Sequence, residues 1–190
     1  MASDATPAGS DLSTANCAVR IATADDAVGI AETHVASWRS AYRGLLPQTV
    51  LDGLSVERRT AGWREQILNS SCLVHVAIGA ARQPVGFVAT GKSRDSDAGC
   101  HVGELQAIYL SPELWGRGTG SRLHDVAISA LAAAPFGEAT LWVLESNSRS
   151  RSFYEWKGWQ PDGTVKRDSI GGADVVEVRY RRSLHLEPLA

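Results

Sequence analysis

Three glycines within five residues, Gly116, Gly118 and Gly120, separate a strand-like segment, Val102 to Leu110, from a segment whose apolar residues Leu123, Val126, Ala127, Ala130 and Leu131 fall at helical spacing. Pro112 marks the end of that strand. A strand that passes through a glycine turn into an amphipathic helix commits the chain to a layered α/β architecture, because the helix has to cover the sheet that holds the strand. Glycines there let the backbone fold tightly with its N–H groups outward, and the helix dipole adds positive potential at the same point. The turn Trp115-Gly116-Arg117-Gly118-Thr119-Gly120 therefore reads as an anion nest suited to a pyrophosphate, with Arg117 as a candidate charged contact. A plain tight turn into a helix is the alternative, but it needs only one glycine.

Two other phosphate motifs fail on the same residues. A P-loop requires Gly-Lys-Ser/Thr after four intervening residues, whereas Gly120-Ser121-Arg122 has no lysine in place. A dinucleotide fingerprint needs its third glycine where Ser121 stands. Glu145 could imitate that motif's ribose-binding acid, yet too little chain follows it to build the second half of such a fold, so a nicotinamide-dependent oxidoreductase ranks low.

The bulk properties narrow the class. A chain of 190 residues with 44% hydrophobic and 21% charged residues matches one ordinary globular domain. With 19 basic against 21 acidic residues there is no global field to draw it onto nucleic acid or an anionic membrane. No apolar run approaches the roughly 18 residues that cross a bilayer. Residues 1–17 are small and polar, without the basic start and apolar stretch of a targeting segment, and read as a flexible tail; 185–190 read as a short C-terminal tail, leaving 18–184 as one domain. Cys17, Cys72 and Cys100 are too scattered for a redox pair or metal site and read as incidental thiols. A cytoplasmic protein without a metal is expected. The histidines, His34, His75, His101, His124 and His185, show no metal-ligand spacing and no acidic partner in sequence.

Along the chain, Ala18 to Ala22 alternates as a strand, Thr23 with Asp25 and Asp26 caps a helix running to about Trp38, and Gly44 and Pro47 interrupt it before a helical turn at Gln48 to Asp52. A further helix follows Ser55, with Trp63 and Ile67 on one face. Leu73 to Ile78 and Val85 to Thr90 form a predicted hairpin, Ala139 to Leu144 a buried parallel strand, and Asn147 caps a helix that holds Ser150, Phe153 and Tyr154 and stops at Gly158. Trp159 to Lys166 and Val175 to Arg182 close the chain as a pair around Gly171-Gly172, with Arg179, Arg181 and Arg182 expected on a solvated edge. The whole reads as a mixed α/β structure with a largely antiparallel sheet.

Two stretches resemble the GNAT superfamily of acyl-CoA-dependent N-acetyltransferases. The first is Glu104-Leu105-Gln106-Ala107-Ile108-Tyr109-Leu110-Ser111-Pro112 followed by Trp115 to Gly120, with Trp115 standing where the superfamily usually has Gln or Arg. The second runs from Glu145 to Trp159 and carries Asn147, Phe153-Tyr154 and Gly158-Trp159 in the superfamily's order. The resemblance covers Val19 to Leu184. It implies a GNAT-like α/β (α+β) fold: a mixed, mostly antiparallel central sheet of about seven strands with helices on both faces, opened between two parallel central strands where acetyl-CoA lies. It also implies transfer of an acetyl group to an amine acceptor, a small molecule or a peptide, with no nucleic acid or membrane partner; a homodimer is common among similar proteins.

The resemblance implies roles residue by residue. Glu104 is the candidate base, acting through water, with a solvated strand carboxylate as the alternative. Tyr154 is the candidate acid for the departing thiolate, or else a core tyrosine. Gly116, Arg117, Gly118, Thr119, Gly120 and Ser121 are expected around the pyrophosphate. Ile108, Tyr109 and Leu110 are expected to offer main-chain groups to the pantetheine arm, Ile108 and Leu110 packing their side chains in the core. Asn147 is expected to cap its helix and bond that arm. Trp38 and Tyr42, with Trp63, are candidates for an acceptor pocket, although aromatic residues at helical spacing more often belong to a core. A non-catalytic acyl-CoA-binding module of the same fold remains the second reading.

Overall fold

The structure is a computed structural model and describes residues 17–184. Of the tails expected at 1–17 and 185–190, residues 1–16 and 185–190, with His185, lie outside the described residues. Seven strands form one sheet: β1 (Ala18–Ile21), β2 (Leu73–Ile78), β3 (Pro84–Lys92), β4 (Val102–Leu110), β5 (Glu138–Leu144), β6 (Gln160–Ile170) and β7 (Ala173–Ser183), in the order β1-β2-β3-β4-β5-β7-β6. All neighbours are antiparallel except β4 and β5, which are parallel because a crossover helix joins them. Five α-helices cover the sheet: α1 (Ala27–Ala41), α2 (Gln48–Asp52), α3 (Val56–Leu68), α4 (Thr119–Ala133) and α5 (Ser148–Trp156).

The helices divide between the two faces as the resemblance implies. On one face, Ile30 of α1 and Trp63 of α3 pack on Val74, Val76, Phe87 and Ala89. On the other, Leu123, Ala127 and Leu131 of α4 and Tyr154 of α5 pack on Val88, Leu105, Leu141 and Tyr180. The apolar positions read at helical spacing on α4 are thus its sheet-facing stripe. A smaller cluster, Leu46, Leu51, Leu144 and Val175, seats α2 over the ends of β5 and β7.

β4 changes parity within its length. Ala89 pairs with Ala107 while Thr90 pairs with Leu105, so Gln106 is an extra, bulged residue. Before the bulge Leu105 faces the α4 side; after it Ile108 and Leu110 face that side, and Ala107 and Tyr109 face α1. The β6–β7 turn is tight, with Gly171 and Gly172 both at positive φ (59° and 84°).

One expectation is corrected here. β7 is not an edge: it lies between β5 and β6, and Arg179 is buried within an ion-pair network rather than solvated. Its guanidinium grips Asp97 through two nitrogens (2.8 and 2.9 Å) and donates to Asp95 (3.2 Å) and Asp162 (2.7 Å).

Two buried histidines serve the core. His34 Nδ1 accepts the indole N–H of Trp63 at 3.1 Å, and His124 Nε2 accepts that of Trp159 at 2.9 Å. His124 also has an acidic partner that sequence reading passed over, its neighbour Asp125 at 3.1 Å from Nδ1. Burial holds both rings neutral, with pKa values lowered to about 3 for His34 and about 4 for His124. The unfolded chain, whose histidines titrate near 6.5, therefore takes up protons that the fold refuses between about pH 6.5 and 4, and stability falls as pH drops through that window. Urea midpoints measured from pH 7 to 4.5 are expected to decline, and His124→Gln, which still offers Trp159 an acceptor, is expected to decline less steeply.

Candidate active site

β4 and β5 hold together for only three residue pairs, Val102–Glu138, Gly103–Ala139 and Glu104–Thr140. Beyond Glu104 the strands part, while β3 goes on pairing with β4 as far as Leu110 and β7 with β5 as far as Leu144. The gap is a cleft of about 780 Å³ between the continuation of β4, the end of β5, the start of α5 and the end of α1.

At one end the glycine turn contributes Gly116, Gly118, Gly120 and Ser121 to the wall. Gly116 (φ 75°) and Gly118 (φ 86°) occupy the left-handed region that a side chain would strain, and Gly118 stands as the N-cap of α4. Arg122 N–H is the first to close onto the helix, donating to the Gly118 carbonyl at 3.1 Å; the amides of Thr119, Gly120 and Ser121 precede it as the donors that a helix start leaves without intrahelical partners. Trp115 donates its indole N–H to the Leu110 carbonyl at 2.9 Å, capping the end of β4. The Arg149 guanidinium lies over the Trp115 ring, 4.1 Å from its centroid. Arg149 falls in the first turn of α5, which holds no acidic residue, so the helix dipole opposes its charge and an anion between the two helix starts would relieve it.

Tyr154 comes from the last part of α5, buried against Trp159 and Tyr180. Burial, with the Tyr109 phenol nearby, pushes its hydroxyl well above the ordinary tyrosine pKa. The phenols of Tyr42 and Tyr109 are raised in the same way. Asn147 caps α5, its Oδ1 accepting Ser150 N–H at 3.2 Å.

Glu104 is buried on the wall of the cleft with both carboxylate oxygens engaged by Arg94. Oε2 accepts the Arg94 backbone N–H at 3.0 Å and Nε at 3.1 Å, and Oε1 accepts the guanidinium's terminal nitrogen. Arg94 belongs to the 93–99 loop, which is itself held down by Asp95 and Asp97 on Arg179 and by the Trp142 indole donating to Asp95 at 2.8 Å. The remaining wall is aromatic: Trp38 and Tyr42 meet edge to face with centroids 4.9 Å apart, and Tyr109 stacks on His34 at 4.5 Å.

Comparison with known proteins decides what this cleft belongs to. Residues 35–159 match the acetyltransferase (GNAT) family. A Bacillus subtilis protein named as an uncharacterized N-acetyltransferase, YuaI, is 33% identical over 161 residues, spanning 84% of this chain and 89% of that one. The chain belongs to the GNAT acetyltransferase family. It is an acyltransferase by that membership. Solved structures agree on the fold: PaiA N-acetyltransferase from Thermoplasma acidophilum in complex with coenzyme A superposes with a TM-score of 0.71 at 21% identity, covering 88% of this chain and 99% of that one. YncA of Salmonella typhimurium with acetyl-CoA gives 0.68 at 17% identity, covering 92% and 98%.

Within this GNAT fold, Glu104, Ile108, Tyr109, Leu110, Gly116, Gly118, Gly120, Ser121, Asn147, Tyr154, Trp38 and Tyr42 all line the one cleft. Arg117 and Thr119 do not: Arg117 is exposed and Thr119 is buried at the start of α4. The Leu110 carbonyl already has a partner in Trp115. Trp63 sits in the core beneath Phe87 instead of in the cleft. Sequence reading missed Arg94, Trp142, Arg149, Lys166 and Glu177, which also line it. Of these only Arg149 carried a signal, a basic residue two positions after a capping Asn. No cluster of three or more His, Cys, Asp or Glu side chains disposed for a metal ion occurs among the described residues, and no helix there is long and apolar enough to cross a membrane.

Arg179→Met removes the group that gathers Asp95, Asp97 and Asp162 and leaves their charges facing one another. Because Asp95 and Asp162 are largely buried while Asp97 is exposed, the loss is expected to lower the urea midpoint. Faster amide exchange across 93–99 is expected to accompany it.

Proposed function

We propose that the protein transfers an acetyl group from acetyl-CoA to a primary amine by direct attack within this cleft. The observation that carries the reading is the parting of β4 and β5 beside a glycine nest. It leaves one strand edge free for an amide-rich arm and a cluster of N–H donors for phosphate within the same gap. PaiA, which is similar in fold, is known with coenzyme A, and YncA with acetyl-CoA.

In this reading the nest of Gly116 to Ser121 and the start of α4 hold the pyrophosphate, and Arg149, braced on Trp115, supplies positive charge beside it. The free edge of β4 from Ile108 to Leu110 and the side chain of Asn147 hold the pantetheine arm, and a β4 N–H meets the developing oxyanion. The amine nitrogen forms its bond to the thioester carbonyl carbon, the carbon–sulfur bond breaks, and the nitrogen gives up a proton. Glu104 receives that proton through water, because Arg94 already occupies a position on each of its oxygens. Tyr154 donates a hydrogen bond to the departing sulfur.

Calorimetric titration with acetyl-CoA, followed by thiol release with a panel of amines, tests this. Binding is expected, with thiol release for at least one amine. Gly118→Glu is expected to abolish binding by placing a charged, strained side chain in the nest, Arg149→Ala to weaken it about tenfold through loss of a charge-assisted contact, and Tyr154→Phe to slow thiol release by about tenfold or more with binding retained. Binding without thiol release across a broad panel would make the protein an acyl-CoA-binding module, and no binding at all would overturn the reading.

A further inference from the structure

Where β5, β6 and β7 form the wall of the cleft, the protein holds one of its own ammonium groups in a cradle. Lys166 Nζ lies 4.4 Å from the centroid of the Trp142 ring and 2.9 Å from Glu177 Oε2, and all three residues line the cleft. An aromatic face combined with a carboxylate is the pairing that holds an alkylammonium ion. The Glu177 side chain is only 19% exposed while that of Lys166 is 43% exposed, so the carboxylate belongs to the wall and the lysine can leave for water. Burial foremost raises the phenol pKa values of Tyr42 and Tyr109, with the Glu177 charge as a small addition across the cavity. Around it the wall is formed by Trp38, Tyr42, Tyr109 and Ile170.

We propose that Trp142 and Glu177 are the seat for the acceptor's ammonium group, that Lys166 fills this seat as a placeholder in the free protein, and that the acceptor is a primary alkylamine with an apolar or aromatic body and no carboxylate beside its nitrogen. The proposal rests on the acetyltransferase reading and adds the substrate class to it. The charges of the cleft favour such a molecule. Glu104 already has Arg94, Arg149 is placed over Trp115 at the phosphate end, and Arg59, over the Trp38 ring, is not among the residues that line the cleft, so an acceptor carboxylate would meet mainly indoles and phenols. An ammonium that displaces Lys166 exchanges one cation for another and leaves the carboxylate paired throughout. Trp142 stands on β5 between the two carboxylates: its neighbour in register on β7 is Arg179, one pair from Val178 and two from Glu177, and β5 meets Glu104 at Thr140, two residues earlier. An ammonium seated on it lies between Glu177, which binds its charge, and Glu104, which takes one proton through water to free the lone pair for attack, passes it to solvent, and takes the second as the carbon–sulfur bond breaks.

The test compares 2-phenylethylamine with phenylalanine, which differ by the carboxylate alone, in the intact protein with saturating acetyl-CoA. Thiol release gives the kinetic constants, and calorimetry on the CoA complex gives amine affinity independently of turnover. We expect 2-phenylethylamine to be the better acceptor. Lys166→Met, by emptying the seat, is expected to lower its KM about threefold or more, and Glu177→Gln to raise it about tenfold. The KM for acetyl-CoA is expected to stay within about twofold in both variants, which also reports that they fold. A higher amine KM in Lys166→Met would mean that Lys166 contacts an anionic group of the acceptor, and would overturn the proposal. So would a preference for phenylalanine, an unchanged KM in Glu177→Gln, or turnover of other amines with no binding of 2-phenylethylamine. Failure of the wild-type protein to bind acetyl-CoA would instead remove the transferase reading beneath it.

Discussion

The reactive side of this molecule depends on β4 and β5 ending their hydrogen bonding after three residue pairs. Two strands that part inside a sheet would ordinarily fray, since each exposes a row of backbone donors and acceptors. Here each is held from its other side, β4 by β3 and β5 by β7, so neither open edge stands without a paired neighbour. The bulge at Gln106 adds to this by reversing the parity of β4 at the point of divergence. Leu105 enters the core on the α4 side and Glu104 takes the opposite face, and beyond the bulge Tyr109 returns to the face of α1, where the aromatic wall is built. Trp115, the departure from the usual motif, fits the same logic. Its indole caps the Leu110 carbonyl at the end of the open strand and forms the platform for Arg149, so a basic side chain from α5 stands beside the glycine turn.

Charge within the molecule is organised by buried or half-buried partners. Arg179 draws Asp95 and Asp97 of the 93–99 loop and Asp162 of β6 to one point, and Arg181 bonds Glu138 on the neighbouring strand. Arg94, one residue before Asp95, is thereby held where it can grip Glu104. A guanidinium with a planar fork suits both tasks in a way that an ammonium would not, because it satisfies two oxygens at once with little further loss of freedom. The burial of Arg179 follows directly from the strand order: a residue on an interior strand facing a covering loop has to bring its counter-ions with it.

Local features of the fold were legible from the sequence because their causes are local. The bounds of β4, the stripe on α4, the Asn147 cap and the stop at Gly158 each follow from periodicity, capping chemistry or glycine within a few residues. The parallel pairing of β4 with β5 was legible too, since a helix between two strands leaves little choice. What stayed hidden depends on strand order and on side chains that meet from distant parts of the chain. Nothing near Arg179 in sequence says that β7 inserts between β5 and β6, or that Asp95 and Asp97 will lie above it. Likewise Lys166 gives no sign that it will meet Trp142. Arg117, inside the glycine turn, is exposed and is not among the residues that line the cleft, and nothing in its sequence neighbours foretells which way a side chain leaves such a turn.

The proton chemistry of the cleft follows from its burial. Tyr42, Tyr109 and Tyr154 are all held protonated beyond their ordinary range, so they are hydrogen-bond donors across the whole physiological interval. A thiol loses its proton near 8.5 and an unperturbed phenol only near 10, so complete transfer from Tyr154 to a leaving thiolate would run uphill. In the proposed reaction the phenol therefore acts by stabilising charge on sulfur as the bond breaks, and water protonates the departing thiolate while Glu104 returns the amine's proton to solvent. In that reaction proton acceptance falls to Glu104, while Glu177 holds the amine's charge, each carboxylate kept beside a cation of its own. Donors gathered on α1, β4 and α5, with carboxylates on β4 and β7, give the cleft a direction: the nitrogen surrenders its proton toward one wall while the sulfur draws a hydrogen bond from another.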